Sequence, residues 1–427
     1  MKSSEYNYFI PFQYDKYIVF NGITSRFFLF SNVNVKELKK VLEDPVLYNN
    51  IDQYSDFIKK MYSEGFLVDD EVDELQAIKN LYEKTTVSDR YELMILTTYD
   101  CNFSCWYCVQ HHRKEYMSDD IIRKVKLHIK KYIVKHNIKS FNIMWFGGEP
   151  MLTIDTMKDI TSFAKQFCKD NGVLFDCSIT TNGSLLTSDN IMLLKELSFD
   201  DFQITLDGNI QEHNKVRFNA NIPDSFDLIL SNVATIVRQI PDVNLTLRYN
   251  YTRNNLDDSL IDEVNTRIPK DLRRKIHFMP RKVWQEDENN IPNSKLQNLI
   301  KKAKLSGYIV EIAADVQQVC YVDNKHFNTI FHNGTVDKCA NMNIDLARGI
   351  LGDNGEIIWK SKQIEIQNIF DADSSCKNCR FLPVCMGPCY MLRLPMIKNG
   401  GPIKCMYKDK NKEMINTIKS YCEGLLT

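Results

Sequence analysis

The first hundred residues contain no cysteine, although the chain of 427 residues has 13. Nor is there a run of about 18 apolar residues, the length a membrane-spanning helix requires. The opening stretch, MKSSEYNYFIPF, lacks the basic region and apolar run of a secretory signal. An excess of one charge is missing too: 54 Lys and Arg stand against 55 Asp and Glu, a net charge of −1. That balance gives no reason to invoke a nucleic-acid or membrane partner. Internal repeats and low-complexity tracts are also absent. Together these absences predict a cytoplasmic protein whose closely spaced cysteines serve metal or redox chemistry rather than disulfides.

What is present divides into three regions, in keeping with two or three domains for this length. Residues 1–90 hold strand-like runs at Tyr17 to Phe20 and Phe27 to Phe30 and helical patterns at Val35 to Leu42 and Tyr54 to Tyr62. A glycine stop at Gly65, a short strand at Phe66 to Val68 and a last helix from Asp70 to Glu83 complete a small α+β module. Residues 91–315 alternate strand and helix, with strands predicted at 93–97, 141–145, 174–179, 202–206, 245–249 and 276–279. About six β/α units in a row argue for an α/β fold with parallel strands in an open or closed barrel, binding ligands at the strands' C-terminal ends. Residues 316–427 hold most of the remaining cysteines, and short strands, turns and coil are expected there, as where metals replace much of a core.

The chemistry begins directly after the first barrel strand, in Cys101-Asn-Phe-Ser-Cys105-Trp-Tyr-Cys108. Three thiolates on one short loop can bind three irons of a [4Fe–4S] cube and leave the fourth iron open to a small molecule. The same loop could hold zinc, with His111 or His112 as a further ligand. Gly147-Gly148-Glu149-Pro150 ends the second strand, Thr180-Thr181-Asn182-Gly183 the third and Thr205-Leu206-Asp207-Gly208 the fourth. Arg217 follows in His213-Asn214-Lys215-Val216-Arg217. Singly, each is more often a turn, a loop or a solvated charge. Their order after successive strands is what makes the set specific.

This set resembles the radical S-adenosylmethionine (SAM) superfamily, whose CxxxCxxC loop carries an aromatic, here Tyr107, before the last Cys. The resemblance implies a partial (β/α)6 radical SAM barrel over residues 91–315 with a cluster on Cys101, Cys105 and Cys108. It implies SAM contacts at Gly147, Gly148, Glu149, Thr181, Asn182, Thr205 and Arg217, with Glu149 on the methionine ammonium and Arg217 on its carboxylate. It also implies the chemistry. The reduced cluster passes one electron to SAM, the sulfonium C–S bond cleaves, and the 5′-deoxyadenosyl radical takes a hydrogen atom from substrate. An electron donor such as flavodoxin or ferredoxin would supply the electron.

The later cysteines follow a second pattern: Cys320, Gly334 and Cys339, then Cys376, Cys379, Cys385 and Cys389, then Cys405. Their spacing, CX13GX4C, CX2CX5CX3C and a final C, resembles the SPASM domain of radical SAM enzymes that modify peptides and proteins. That implies two auxiliary clusters and three [4Fe–4S] clusters in all. Cys376, Cys379, Cys385 and Cys405 would fill one; Cys320, Cys339 and Cys389 would hold the other, one ligand short. Asp323 or His326 could complete it, or the iron could stay open to a substrate thiolate. By position, Asp323 and His326 are also the candidate catalytic acid or base. Cys168 and Cys177 read as packed apolar residues, and Cys422, on a short C-terminal segment, as structural or exposed.

The element order of residues 1–90 resembles the peptide-recognition domain of ribosomal-peptide maturases, which implies a leader peptide bound by strand addition; a packing cap on the barrel is the alternative. Sulfatase-maturing enzymes typically carry Asp after the Cys matching Cys339, where this chain has Ala340. The resemblance therefore implies oxidative modification of a ribosomally made precursor peptide, forming an intramolecular thioether or C–C cross-link. Formylglycine generation on a sulfatase, dehydrogenation of a small molecule, and a protein that only carries electrons or binds peptide are the alternatives.

Overall fold

Apolar alternation builds the N-terminal sheet. In the computed structural model, which describes residues 1–50, 52–110, 112–286, 293–310, 316–340, 344–360, 369–370 and 374–426, β1 (Lys2–Ser3) is followed by β2 (Asn7–Pro11), β3 (Lys16–Asn21) and β4 (Phe27–Ser31). Then come α1 (Asn32–Glu43), α2 (Pro45–Asn49), α3 (Asp52–Ser63), β5 (Leu67–Val68) and α4 (Glu74–Thr86). Strands β2, β3 and β4 form an antiparallel sheet, while β1 pairs with β5. Both faces of β3 are buried. Val19 packs with Val35, Leu38, Ile58 and Met61 of α1 and α3. Ile18 and Phe20, on the opposite face, share a core with Ile369, Phe381, Leu382 and Ile418 from the far end of the chain.

The barrel region runs β6 (Arg90–Leu96), α5 (Asp119–Lys135), β7 (Ser140–Phe146), α6 (Ile154–Asp170), β8 (Leu174–Thr181), α7 (Ser188–Glu196) and β9 (Phe199–Leu206). It continues through α8 (Ile210–Val216), α9 (Ser225–Gln239), β10 (Asn244–Tyr251), α10 (Ser259–Arg267), α11 (Lys270–Arg273), β11 (Ile276–Lys282), α12 (Asn293–Leu305) and β12 (Ile309–Val310). Ser118 caps α5 by accepting from the Ile121 amide. From β6 to β11 each strand pairs in parallel with the next in sequence. Strands laid down in sequence order wind in one direction, which puts the helices on one face. The core confirms this: Leu93, Ile143, Ile179, Ile204 and Leu247 pack with Val125, Ile160, Leu194, Val233 and Val264 from the helices. The other face carries Asn142, Ser178, Thr180, Gln203, Thr205, Thr246, Arg248 and Asn250, so the inside of the barrel is polar.

Four further strands extend this sheet. β13 (Phe327–Phe331) pairs in parallel with β6, and β14 (Thr335–Asp337), β15 (Gly349–Leu351) and β16 (Ile357–Trp359) follow antiparallel. Among the described residues the sheet stays open, with β12 and β16 at its edges. Three helices close the chain: α13 (Leu382–Cys385), α14 (Tyr390–Lys398) and α15 (Lys410–Leu426). The last departs from the expected short segment. Met414, Ile418 and Cys422 recur every fourth residue, form one helical face and are buried, so Cys422 is a core residue. The chain forms two compact units, one of Met1–Ser88, Ile312–Lys325 and Glu365–Thr427, the other of Asp89–Glu311 and His326–Ile364. Among the described residues no helix is long and apolar enough to cross a membrane.

Candidate active site

The three cysteines after β6 sit on a loop tied down by its own polar side chains. Thr98 Oγ1 donates to the Glu115 carbonyl at 2.7 Å and accepts from the Asp100 amide at 2.9 Å. Asp100 Oδ1 accepts from the Cys101 amide at 2.9 Å, and the Cys108 amide donates to the Cys105 carbonyl at 3.0 Å. The loop lies against the backbone that follows β7: the Gly148 amide donates to Thr98 O at 3.2 Å and the Glu149 amide to Asp100 O at 2.8 Å. This contact is why both glycines are needed. A Cβ on Gly147, whose φ is +134°, would stand 2.7 Å from Thr98 O, and one on Gly148 would stand 2.1 Å from Asp100 O. The close approach thus involves the loop's own carbonyls as well as any ligand.

The loop forms one wall of a cavity of about 250 Å³ at the C-terminal ends of the parallel strands. Cys101, Cys105, Cys108, Gly147, Gly148, Thr181, Asn182, Thr205 and Arg217 all line it. Glu149 does not. Its buried carboxylate accepts from the Met151 amide at 2.9 Å, Thr181 Oγ1 at 2.7 Å and the Asn182 amide at 2.8 Å, so it braces the end of β8 from behind. Burial pushes the Glu149 carboxyl up, against the pull of these hydrogen bonds. Asn182 in turn reaches the cysteine loop, donating to Asn102 Oδ1 at 2.7 Å. His112 lines the cavity, and burial lowers its pKa; His111 lies outside the described residues.

Behind the cysteines is a buried network that sequence motifs alone did not assemble. Tyr107 donates its hydroxyl to Asp207, and Asp207 ion-pairs with Arg217. Arg217 Nη2 donates to Tyr107 Oη at 3.1 Å, and Asn250 Nδ2 donates to it at 3.0 Å. Burial works against the charge on Arg217, but Asp207 together with Tyr107 and Cys105 outweighs it and holds the guanidinium protonated. The one signal for Asn250 and Arg248 is the alternation in β10, where Thr246, Arg248 and Asn250 share a face between apolar neighbours.

Residues 95–262, which span the cysteine loop and most of this cavity, match the Radical SAM superfamily. The chain carries a radical SAM domain. The cysteine-type anaerobic sulfatase-maturating enzyme of Clostridium novyi (strain NT) is 30% identical over 154 residues, 34% of this chain and 40% of that protein. The radical SAM cyclopropyl synthase TigE of Paramaledivibacter caminithermalis is 23% identical over 286 residues, 54% of this chain and 59% of that protein. The chain therefore matches between 40% and 59% of the length of these two relatives. Among solved structures, native anSMEcpe with bound AdoMet and Cp18Cys peptide aligns with a TM-score of 0.57 at 16% identity, over 79% of this chain and 98% of that one. At this identity the likeness is one of fold.

Cys101, Cys105 and Cys108 stand on one short loop and line one cavity, which suits a cube that takes thiolates on separate irons. Burial pushes the Cys101 thiol up to about 12 and raises Cys105 and Cys108 as well. Such thiols stay protonated until a metal displaces the proton.

The remaining cysteines divide between the units. In the unit holding the chain ends, Ser374 bridges Ile403 and the Ser375 amide donates to the Ile403 carbonyl at 3.1 Å, which brings the approach to Cys405 alongside that to Cys376. Cys379 and Cys405 lie close enough to Cys376 and Cys385 to push those two thiols up, after burial, which is the larger cause. Burial, then Asp323 and Cys389, push the Cys320 thiol up within this unit; Cys339 belongs to the barrel unit. Asp323 and His326, the candidate bases, are committed elsewhere. Asp323 is buried in an ion pair with Arg393, one turn beyond Cys389, so it ties the Cys320 turn to α14. His326 belongs to the barrel unit, does not line the cavity, and its Nδ1 lies 3.1 Å from Tyr132 Oη.

Proposed function

We propose that this protein is a radical SAM enzyme that oxidatively modifies a ribosomally made peptide, forming an intramolecular thioether or C–C cross-link. The observation that carries the reading is the single cavity onto which Cys101, Cys105 and Cys108 converge with Gly147, Gly148, Thr181, Asn182 and Thr205. When bound, the cluster would supply one electron to SAM and so the radical that takes hydrogen from substrate. The chain's own part is to hold and to exclude. Glu149 fixes the strand end that presents Thr181 and Asn182. The Tyr107–Asp207–Arg217 network fixes the loop from which Cys105 and Cys108 project. Cys376, Cys379, Cys385 and Cys405 would hold a second cluster, and Cys320, Cys339 and Cys389 a third. Among the described residues β4 pairs on one side only, with β3, which leaves an edge of the kind a leader peptide adds to.

A second reading, maturation of a sulfatase, is favoured by the Clostridium relative and disfavoured by Ala340. One experiment separates them. Anaerobically reconstituted protein is given SAM, a reductant and, in turn, small peptides encoded beside its gene and a Cys-containing sulfatase peptide. A loss of about two mass units from a neighbouring peptide, for the two hydrogens removed, is the expected result. Formylglycine on the sulfatase peptide would establish the second reading. Replacing Cys101, Cys105 and Cys108 together by Ala should remove about four irons per chain and all SAM cleavage; cleavage that persists would refute both.

A further inference from the structure

Among the described residues the cavity wall contains no carboxylate. Of its 22 lining residues none is Asp or Glu, whereas Arg217, Arg248 and Lys282 are basic. Arg217 is neutralised by Asp207 behind it, and Lys282 has interactions of its own. Arg248 differs. It stands on the inner face of β10, in register with Thr205 of β9 and Met279 of β11. Its Nε donates to the neutral Asn250 Oδ1 at 2.9 Å, and among the described residues no carboxylate lies within ion-pairing distance of it. Burial, and then the nearby Arg281, lower its pKa, against a smaller opposing pull from Tyr107 and Asp207. A guanidinium so enclosed without a carboxylate in contact is costly, and its planar fork suits one.

SAM does not redress this balance, because it brings a sulfonium and an ammonium against one carboxylate. Residues at the ends of β7 and β8, namely Gly147, Gly148, Thr181 and Asn182, lie on the side of the cavity next to the cysteine loop. Arg248 lies two strands beyond β8. We propose that Arg248 anchors a carboxylate of the substrate, so that the peptide this site accepts presents an acidic side chain beside the residue that reacts. This rests on the reading of the cavity as a SAM and peptide site.

The test is calorimetric, on reconstituted full-length protein saturated with SAM, with two probes, Ac-Ala-Glu-Ala-NH2 and Ac-Ala-Gln-Ala-NH2. The glutamate peptide should bind at least about tenfold more tightly, the worth of a charged hydrogen bond in a desolvated site. Arg248→Gln should erase that preference and leave the SAM affinity within about twofold, while Arg248→Lys keeps part of it. Equal binding of the two peptides to the unaltered protein overturns the proposal and needs no variant. So does a SAM affinity that falls about tenfold or more in Arg248→Gln, which would assign the guanidinium to SAM's own carboxylate. Protein that takes up neither iron nor SAM would defeat the proposed function instead, and the same two peptides titrated without SAM would still report whether Arg248 selects a carboxylate.

Discussion

At Gly148 the backbone leaves no room for a side chain. An added Cβ would meet Asp100 O at 2.1 Å and Tyr99 C at 2.8 Å, both backbone atoms that cannot rotate away. Gly148→Ala should therefore displace the cysteine loop, at a cost of about 1–3 kcal/mol from overpacking, and lower the iron content after reconstitution. Thermal unfolding and an iron assay read the two effects, and an unshifted melting temperature with full iron would show that the loop yields. Asp323 makes the opposite case, of a residue whose sequence position suggested chemistry and whose contacts suggest support. Asp323 and Arg393 are 5% and 1% exposed. Removing one partner of such a pair costs about 3–5 kcal/mol. Asp323→Asn should lower stability and iron retention together while leaving the pH profile of the surviving activity unmoved; a stable, iron-loaded and inactive variant would restore Asp323 as a base.

Elements were more legible than the contacts between them. The α5 start at Ser118, the α6 stop at Gly172 and the barrel strands follow from caps and periodicity in a single stretch of sequence. Helix α15 was missed because nine of its 17 residues are polar and its apolar stripe is only one residue wide. The motif residues of the cavity were legible because each is contiguous. The Tyr107–Asp207–Asn250 network was not, since it depends on which strand stands beside which. A further contact of this kind joins α5 to the loop before β16. His128 Nδ1 donates to the Gly355 carbonyl at 2.9 Å, and His128 Nε2 lies 2.7 Å from Tyr91 Oη, from which a neutral imidazole accepts. Burial lowers its pKa from 6.5 to about 4. The unfolded chain then binds a proton near pH 6.5 that the folded one refuses, so this contribution is present above 6.5 and is lost as pH falls towards 4, by up to about 3 kcal/mol. His128→Gln should be less stable than the parent at pH 7, with the difference shrinking steadily to pH 4; a constant difference would show that the ring is not neutral when folded.

At the scale of the molecule, the shared core of the two chain ends decides how the role of residues 1–88 can be tested. Deleting them is the direct way to ask whether they bind a leader peptide. Yet Ile18, Phe20, Ile78 and Tyr82 pack in one cluster with Phe381, Leu382, Val384, Ile403 and Ile418, which surround Cys376. Deletion would expose that cluster, and each large side chain bared costs about 1.5–3 kcal/mol, enough in sum to exceed the stability of a typical domain. The truncated chain should therefore lose the iron held by Cys376, Cys379, Cys385 and Cys405 and aggregate, while Asp89–Glu311, whose core is separate, keeps its own. Loss of peptide modification in such a variant would say nothing about a leader. Leu29→Asp on β4 is the discriminating change, because Leu29 is exposed and belongs to neither core. Full iron content, an unchanged melting temperature and weakened binding of the precursor peptide are expected if β4 receives the leader. Unchanged binding in that variant would leave the N-terminal sheet as the half-core of the cysteine-rich segment, with no strand added to this face.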